Sequence, residues 1–318
     1  MDLVSLDQVQ VAAAAISGVA VRTPLLPAAW AGDLWLKPES LQPVGSFKLR
    51  GAYHAISRLP ASRRAAGVIT HSSGNHAQAV AYAARAFGIP AVVVMPDVAA
   101  PVKIDAVRAL GAEVVLVPPA QRLARAEELA AARGLTMIPP FDHPDVIAGQ
   151  GTIGLEIVED LPDVDVVLVP VGGGGLASGV ATAVTALRPS TVVVGVEPEY
   201  AADARESLRA GSVVAWPVEQ TYRTCADGLR TNLSELTLAH LRERLDRIVT
   251  VTEDEIREAV GCLARSARLV AEPSGAVTTA AYLYRRAELP AGRTVAVVSG
   301  GNLDPALLAA AIGGQPGV

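Results

Sequence analysis

The stretch VVLVPVGGGGLASG, residues 166–179, runs from an apolar segment through four consecutive glycines into small residues. Valine-rich apolar runs are typical of buried strands, and the small residues after the glycines are compatible with a helix. The backbone N–H groups of a glycine loop at a helix N-terminus are well suited to bind a phosphate. The stretch therefore predicts a strand, a phosphate-binding loop and a helix within an α/β fold.

A dinucleotide is one candidate ligand of this loop. Gly172, Gly174 and Ala177 fit the pattern G-x-G-x-x-G/A after a strand, and Glu197 ends the next apolar run at about the distance of a ribose-binding acid. This interpretation predicts an NAD-dependent oxidoreductase. Four consecutive glycines free more N–H groups for one terminal phosphate than a loop spanning a pyrophosphate requires, which favours a different cofactor.

The same alternation of strand and helix extends over the chain. Short valine-rich runs alternate with longer segments rich in alanine, leucine and arginine, which predicts helices around mostly parallel sheets. The predicted strands are residues 67–70, 90–96, 112–118, 165–171, 191–197, 246–252 and 293–299. Predicted helices include 74–88, 100–111, 122–134 and one that begins with a capping box of Thr252 and Glu255. Three strands and three helices within residues 60–141 predict a small domain inserted into a large domain of residues 1–59 and 142–318.

Composition excludes several classes of protein. The 318 residues are 51% hydrophobic and 19% charged, with a net charge of -5. The sequence has no stripe of basic residues, which argues against a nucleic-acid-binding protein. The N-terminal segment MDLVSLDQVQVAAAAISG has neither the basic start of a signal peptide nor the length of a membrane span, so we expect a cytoplasmic protein without membrane contact. Cys225 and Cys262 lie far apart and predict no disulfide framework.

Lysine is rare in this chain. Of 27 basic residues only Lys37, Lys48 and Lys103 are lysines, and a lysine amine can lose its proton and act as a nucleophile whereas a guanidinium cannot. Lys48 follows a turn-rich loop, in a predicted helix capped by Ser46. The positive end of the helix dipole would favour the neutral amine. The alternative interpretation is an exposed lysine at the start of a helix.

Two further polar turns follow predicted strands. Ser72, Ser73, Asn75 and His76 lie in ITHSSGNHAQAVA, residues 69–81, where they could bind a carboxylate or form an ordinary cap. Ser299 follows the strand in AVVSGGNLDP, residues 296–305. Ligands of open α/β sheets bind beyond the carboxyl ends of the strands, so these turns are predicted to form one pocket at one sheet edge.

Five motifs occur along the chain in this order: SFKLRGA (46–52), SSGNHAQA (72–79), AGQGT (148–152), GGGGLASG (172–179) and SGGNLD (299–304). Together they resemble the fold-type II pyridoxal-phosphate enzymes, in particular the serine/threonine dehydratase and serine racemase group. The resemblance covers essentially the whole chain. It implies an α/β fold with two open, twisted, mostly parallel sheets flanked by helices, a pyridoxal 5'-phosphate cofactor, an amino-acid substrate and a homodimer.

The resemblance also implies roles in cofactor binding. Lys48 would bind the cofactor covalently, Phe47 would flank its ring, Asn75 would donate a hydrogen bond to its phenolic oxygen, and Ser299 would face the pyridine nitrogen. The phosphate would be held by the glycine loop, Gly172, Gly173, Gly174 and Gly175.

Substrate binding is implied for a second set of residues. Ser72, Ser73, Asn75 and His76 would form the loop that binds the substrate carboxylate, and Arg122 lies near the position of an arginine that the racemases use.

A divalent-cation site is implied as well. Glu197 and Asp203 would be carboxylate ligands with the Ala201 carbonyl between them, a donor set that suits Mg²⁺, Ca²⁺ or Mn²⁺. In the alternative interpretation, Glu197 merely ends a strand.

The implied reaction is β-elimination, the dehydration and deamination of L-threonine or L-serine to a 2-oxoacid and ammonia, which makes the protein an ammonia-lyase. Lys48 would remove the Cα proton, and Ser73 could act as an acid or base on the opposite face of the cofactor. That hydroxyl leaves serine racemase and 3-hydroxyaspartate dehydratase as alternatives. A pyridoxal-phosphate carrier without turnover is a further alternative from another class.

Overall fold

Two separate β-sheets form the framework of the protein in a computed structural model that describes residues 2–72, 74–99 and 101–313. The strands are β1 (Leu26–Pro27), β2 (Leu34–Pro38), β3 (Val68–His71), β4 (Ala91–Pro96), β5 (Glu113–Val117), β6 (Thr136–Met137), β7 (Val166–Pro170), β8 (Val192–Pro198), β9 (Arg247–Val251) and β10 (Thr294–Val298). The larger sheet has the order β1-β2-β10-β7-β8-β9, and the smaller has the order β5-β4-β3-β6. All neighbouring pairs are parallel except β1 and β2.

Helices connect the strands and cover the sheets. They are α1 (Leu6–Ile16), α2 (Lys48–Ser57), α3 (Ala61–Ala66), α4 (Asn75–Phe87), α5 (Pro101–Ala109), α6 (Arg122–Arg133), α7 (Pro144–Asp160), α8 (Gly175–Leu187), α9 (Asp203–Ala210), α10 (Val218–Thr221), α11 (Glu235–Arg244), α12 (Glu253–Cys262), α13 (Pro273–Tyr284) and α14 (Pro305–Gly313). Among the described residues, no helix combines the length and the apolar character needed to cross a membrane.

The larger sheet is buried on both faces, as parallel sheets usually are. Successive side chains of a strand point to opposite faces, and β7 shows the result. Val166 and Leu168 pack in one hydrophobic cluster, whereas Val167 and Val169 pack in another on the opposite face. This double burial explains why the strand has a continuous apolar sequence.

All seven predicted strands are confirmed to within one residue at each end, and so is the capping box, in which Thr252 and Glu255 each bond the other's backbone N–H. The structure adds β1, β2 and β6. Two of these strands have only two residues, too few to show a periodic pattern, and β2 contains a lysine in its short apolar run.

The smaller sheet occupies the predicted small domain. Residues 61–137 contain four strands and the helices α3 to α6, so the prediction of three strands and three helices was one short of each. Helix α2 precedes this segment but packs with it, since Leu49 and Ile56 share a hydrophobic cluster with Ala77 and Val80 of α4. The domain boundaries at residues 60 and 141 therefore stay a prediction.

Candidate active site

The polar turns meet where the carboxyl ends of two sheets face each other. Ser72 and Asn75 follow β3 of the smaller sheet, whereas the glycine loop follows β7 and Ser299 follows β10 of the larger one. The prediction of a single sheet edge was therefore wrong, because β3 belongs to the smaller sheet whereas β7 and β10 belong to the larger one. An isolated bridge between Ser46 and Gly300 brings the segment of Lys48 beside the end of β10.

Lys48 is the first residue of α2, which confirms its predicted place in the first turn of a helix. Its Nζ donates a hydrogen bond of 2.7 Å to the Pro140 carbonyl and lies 5.0 Å from the centroid of the Phe47 ring. Burial of the amine lowers its pKa from 10.5 to about 8, since desolvation disfavours the charged form. A larger fraction of this amine is neutral, and hence nucleophilic, than in an exposed lysine.

The predicted cap of this helix was wrong. The residue before α2 is Phe47, whose side chain makes no capping bond, and the Ser46 hydroxyl has no hydrogen-bond partner among the described residues. Ser46 is instead held by its bridge to Gly300, while the Phe47 N–H donates to the Ser299 carbonyl at 3.0 Å. These backbone contacts with a distant segment replace the expected local cap.

The glycine loop leads into α8 with no space for side chains. Gly174 has a φ of +85°, a conformation that favours glycine. A Cβ atom on Gly173 would lie 2.5 Å from the Phe141 ring, and one on Gly172 would lie 2.9 Å from the Leu229 Cα. Within the described residues, the N–H groups of residues 172–175 donate no hydrogen bond. Unpaired N–H groups at a helix N-terminus form a cradle that fits a phosphate.

Ser299 is buried at the end of β10. Its hydroxyl donates to the Ser274 carbonyl at 3.3 Å, a weak hydrogen bond that leaves the oxygen able to contact another group. Its own carbonyl accepts from Phe47. Ser299 and the residue preceding Lys48 are therefore fixed against each other.

Asn75 is the first residue of α4 and is held by two residues that sequence reasoning missed. Its Nδ2 donates to Glu272 Oε1 at 2.6 Å, and its Oδ1 accepts from Asn302 Nδ2 at 2.8 Å. Burial, and then the nearby Asp227, raise the pKa of Glu272 to about 8. Two signals could have found these residues: an acid inside the apolar run LVAEPSGAV, and an asparagine within the quoted motif SGGNLD.

Ser72 and His76 flank the start of α4. Ser73 lies outside the described residues, and the Ser72 hydroxyl accepts from the Gly74 N–H at 3.3 Å. His76 is buried, its Nε2 is 2.9 Å from the Ile138 carbonyl, and burial lowers its pKa to about 3. The neutral imidazole must donate its one N–H to that carbonyl, so a role of His76 in binding a carboxylate would rest on its backbone.

Arg122 begins α6, and its Nε donates to the Pro119 carbonyl at 3.0 Å. Burial, together with the nearby Arg122 charge, lowers the pKa of His71, the last residue of β3. Arg122 therefore lies close to the end of β3. Its implied contact with substrate stays a prediction.

The implied cation ligands lie together at the start of α9. Both Glu197 oxygens accept backbone N–H groups, from Ala204 at 3.0 Å and Arg205 at 2.9 Å. Asp203 Oδ2 accepts from Leu233, whereas its buried Oδ1 has no partner among the described residues. Burial and the nearby Asp203 raise the pKa of Glu197 well above its usual value. A cation beside the unpaired oxygen would relieve this repulsion, so the donor set fits one.

Comparison with known proteins identifies the family. The model of the pyridoxal-phosphate dependent enzyme family matches residues 16–300. The chain is 40% identical to L-threo-3-hydroxyaspartate ammonia-lyase of Saccharomyces cerevisiae, over 92% of both chains. It is 43% identical to L-threonine ammonia-lyase of Thermotoga maritima, over 95% of this chain and 76% of that protein. The structure of maize serine racemase superposes with a TM-score of 0.92 at 34% identity, covering 98% of this chain and 97% of the maize chain. This protein belongs to the pyridoxal-phosphate dependent enzyme family.

Proposed function

We propose that this protein is a pyridoxal-phosphate-dependent ammonia-lyase that converts a β-hydroxy amino acid, L-threonine or L-serine, to a 2-oxoacid and ammonia. One observation carries the proposal: the buried Lys48 amine contacts the Pro140 carbonyl, and the next residue, Phe141, packs against Gly173 of the glycine loop, whose N–H groups donate no hydrogen bond within the described residues. A nucleophilic amine and a phosphate cradle are the two fixed requirements of an enzyme that binds pyridoxal phosphate.

The surrounding residues fit that cofactor. Residues 172–175 would hold its phosphate, Lys48 its aldehyde carbon, and Asn75 its phenolic oxygen, with Ser299 at the pyridine nitrogen. When bound, pyridoxal phosphate supplies an electron sink for the charge left on Cα after proton removal. Ser299 is a neutral partner, so it would leave the ring nitrogen without a full positive charge.

Lys48 is proposed to accept the Cα proton of the substrate at its Nζ. Burial keeps the amine partly neutral near pH 7, as a general base requires. The Pro140 carbonyl accepts a hydrogen bond from this nitrogen and so restrains the position of the amine. The N-terminus of α4, beside Ser72 and Asn75, is proposed to bind the substrate carboxylate.

The test of this function is a panel of β-hydroxy amino acids of both configurations, with 2-oxoacid formation and chiral inversion measured separately. We expect 2-oxoacid and ammonia from L-threonine or L-serine. Lys48→Ala should abolish turnover and the visible absorbance of bound cofactor, whereas Lys103→Ala, at a partly buried lysine that pairs with Asp227, should retain that absorbance. Normal turnover by Lys48→Ala would refute the mechanism.

The relatives motivate two alternatives that the same panel distinguishes. Release of 2-oxoacid from L-threo-3-hydroxyaspartate far above that from L-threonine would assign the protein to the activity named for the yeast relative. Inversion of serine without comparable 2-oxoacid would favour racemase activity, as named for the maize structure. In that case Ser73→Ala should remove inversion and retain elimination.

A divalent cation is proposed at Glu197, the Ala201 carbonyl and Asp203. Mg²⁺, Ca²⁺ or Mn²⁺ should raise the melting temperature of the protein. Asp203→Asn should remove most of that increase, because it replaces the carboxylate that carries the unpaired Oδ1 by a neutral amide. Glu206→Gln, on the exposed face of the same helix, is the control and should keep the increase. An equal increase in Asp203→Asn would contradict this site.

A further inference from the structure

Glu272 is a buried carboxyl group beside the site to which the proposed reaction assigns no task. It lies immediately before α13, and its Oε1 accepts the 2.6 Å hydrogen bond from Asn75 Nδ2. Asn75 begins a helix of the smaller sheet, whereas Glu272 belongs to the part of the chain that covers the larger one. The contact therefore spans the two halves of the site.

Asn302 holds the other end of the same carboxamide. Its Nδ2 donates to Asn75 Oδ1 at 2.8 Å and to the Val44 carbonyl at 2.8 Å. If the Asn75 amide were turned by half a rotation, its oxygen would face the Glu272 oxygen and its NH₂ would face the Asn302 NH₂. The contact with Asn302, whose Nδ2 also donates to the Val44 carbonyl, would then join two donors, and the contact with a charged Glu272 would join two acceptors. The two neighbours together therefore favour one amide orientation.

The selected orientation leaves one donor free. Asn75 Nδ2 carries two hydrogens, of which Glu272 accepts one. The second is the only side-chain donor that Asn75 can still offer to a bound group. A phenolic oxygen needs such a donor, and the turned amide would present an oxygen to it instead.

The packing around this contact is tight. A Cβ atom on Gly300 would clash with Glu272 Oε1 and would lie 3.2 Å from Asn75 Nδ2. A Cβ atom on Gly45 would clash with the Asn302 side chain. Backbone segments therefore enclose the three polar side chains on the side of the larger sheet, and the side chains have little freedom to rearrange.

We propose that Glu272 is a positioning residue, which fixes the Asn75 carboxamide so that its free N–H points to the phenolic oxygen of the cofactor. This inference rests on the proposed function, because it requires pyridoxal phosphate at Asn75. Glu272 Oε1 can accept the hydrogen bond whether the carboxyl group is charged or neutral. Glutamine, which keeps that oxygen, should therefore replace it.

The test is a double-mutant cycle on Glu272 and Asn75, measuring the dissociation constant of pyridoxal phosphate and the wavelength of the visible band of the bound cofactor. We expect Glu272→Ala to weaken cofactor binding about tenfold and to shift the band, since the Asn75 donor is no longer held in place. Glu272→Gln should leave the dissociation constant within about twofold of that of the unmutated protein and should leave the band at the same wavelength. Asn75→Ala combined with Glu272→Ala should bind no more weakly than Asn75→Ala alone.

Glu253→Ala is the matched control. Glu253 is also a buried glutamate, which accepts a 2.7 Å hydrogen bond from the Cys225 N–H, and its loss should lower the melting temperature without moving the band. If Glu272→Ala does not fold, the same cycle with Asn302→Ala replaces it. If the two substitutions weaken cofactor binding by factors that multiply in the double variant, the positioning role of Glu272 is wrong but the proposed function still holds. Failure of the unmutated protein to bind pyridoxal phosphate would overturn the proposed function, and the inference with it.

Discussion

Replacing Arg50 by methionine should destabilise the protein severely. Arg50 lies two residues after Lys48 on α2, and its side chain is fully buried. Its guanidinium contacts Glu39 at 2.8 and 2.9 Å and Glu156 at 2.6 and 2.9 Å. Lys37 completes the group with a 2.6 Å contact to Glu156. Two buried cations thus face two buried carboxylates.

The magnitude follows from what methionine would leave behind. Without Arg50, two carboxylates would share one cation, and within the described part of the chain Glu39 would keep only its hydrogen bonds from Thr23 and Gln42. Removing one partner of a buried ion pair costs about 3–5 kcal/mol because the remaining charge is buried without compensation. Such a loss is a large part of a typical folding stability of roughly 5–15 kcal/mol.

The assay is urea unfolding of the cofactor-free protein, with Arg22→Met as the control. Arg22 also contacts two carboxylates, Glu159 and Asp160, but it is half exposed, so we expect a loss of about 0–1 kcal/mol there. Adding Glu39→Gln to Arg50→Met should restore part of the stability, because it removes the uncompensated charge. A cost of Arg50→Met within about 1 kcal/mol of that of Arg22→Met would refute the reasoning.

Two further outcomes test the site itself. Gly173→Ala should lower the affinity for pyridoxal phosphate by about tenfold or more, since the new methyl group would overlap the Phe141 ring and shift the loop. Titration of the cofactor, followed by absorbance, measures this affinity, and an unchanged affinity would contradict the phosphate assignment. Capture of pyridoxal phosphate by the cofactor-free protein should accelerate with pH and level off above about pH 8, because only the neutral amine of Lys48 reacts and burial lowers its pKa to about 8. A rate that keeps rising to pH 10 in stopped-flow absorbance would show an unshifted lysine.

Much of the fold could be predicted because its signals are local. The valine-rich runs gave the positions of seven strands, and the Thr252 capping box marked the start of α12. The short strands and the cap of α2 could not be predicted in this way. At α2, the isolated bridge from Ser46 to Gly300 replaces the local cap, and sequence spacing carries no information on a contact between residues so far apart.

The residues of the proposed site were singled out by similar local signals. Lys48 was identified as one of three lysines, in a predicted helix after a turn-rich loop, whereas Ser299 and the glycine loop were identified by their places after apolar runs. Their roles in catalysis and cofactor binding stay predictions. Glu272 and Asn302 were missed because their importance lies in the contact with Asn75 and not in any local pattern. The four glycines favoured a terminal phosphate over a dinucleotide, but the loop by itself could not identify pyridoxal phosphate, since any phosphate can bind at a helix N-terminus.

The three lysines separate what the local sequence establishes from what contacts between distant segments establish. Composition established that the chain has only three, and the sequence around Lys48 placed that residue at the start of a helix. Tertiary structure alone decided that Lys37 pairs with the buried Glu156 and Lys103 with Asp227, at 3.0 Å. It also decided that the Lys48 amine lies against the Pro140 carbonyl with its pKa lowered. Helices and strands follow from neighbouring residues, whereas the charge state of a side chain depends on which distant segments exclude water from it.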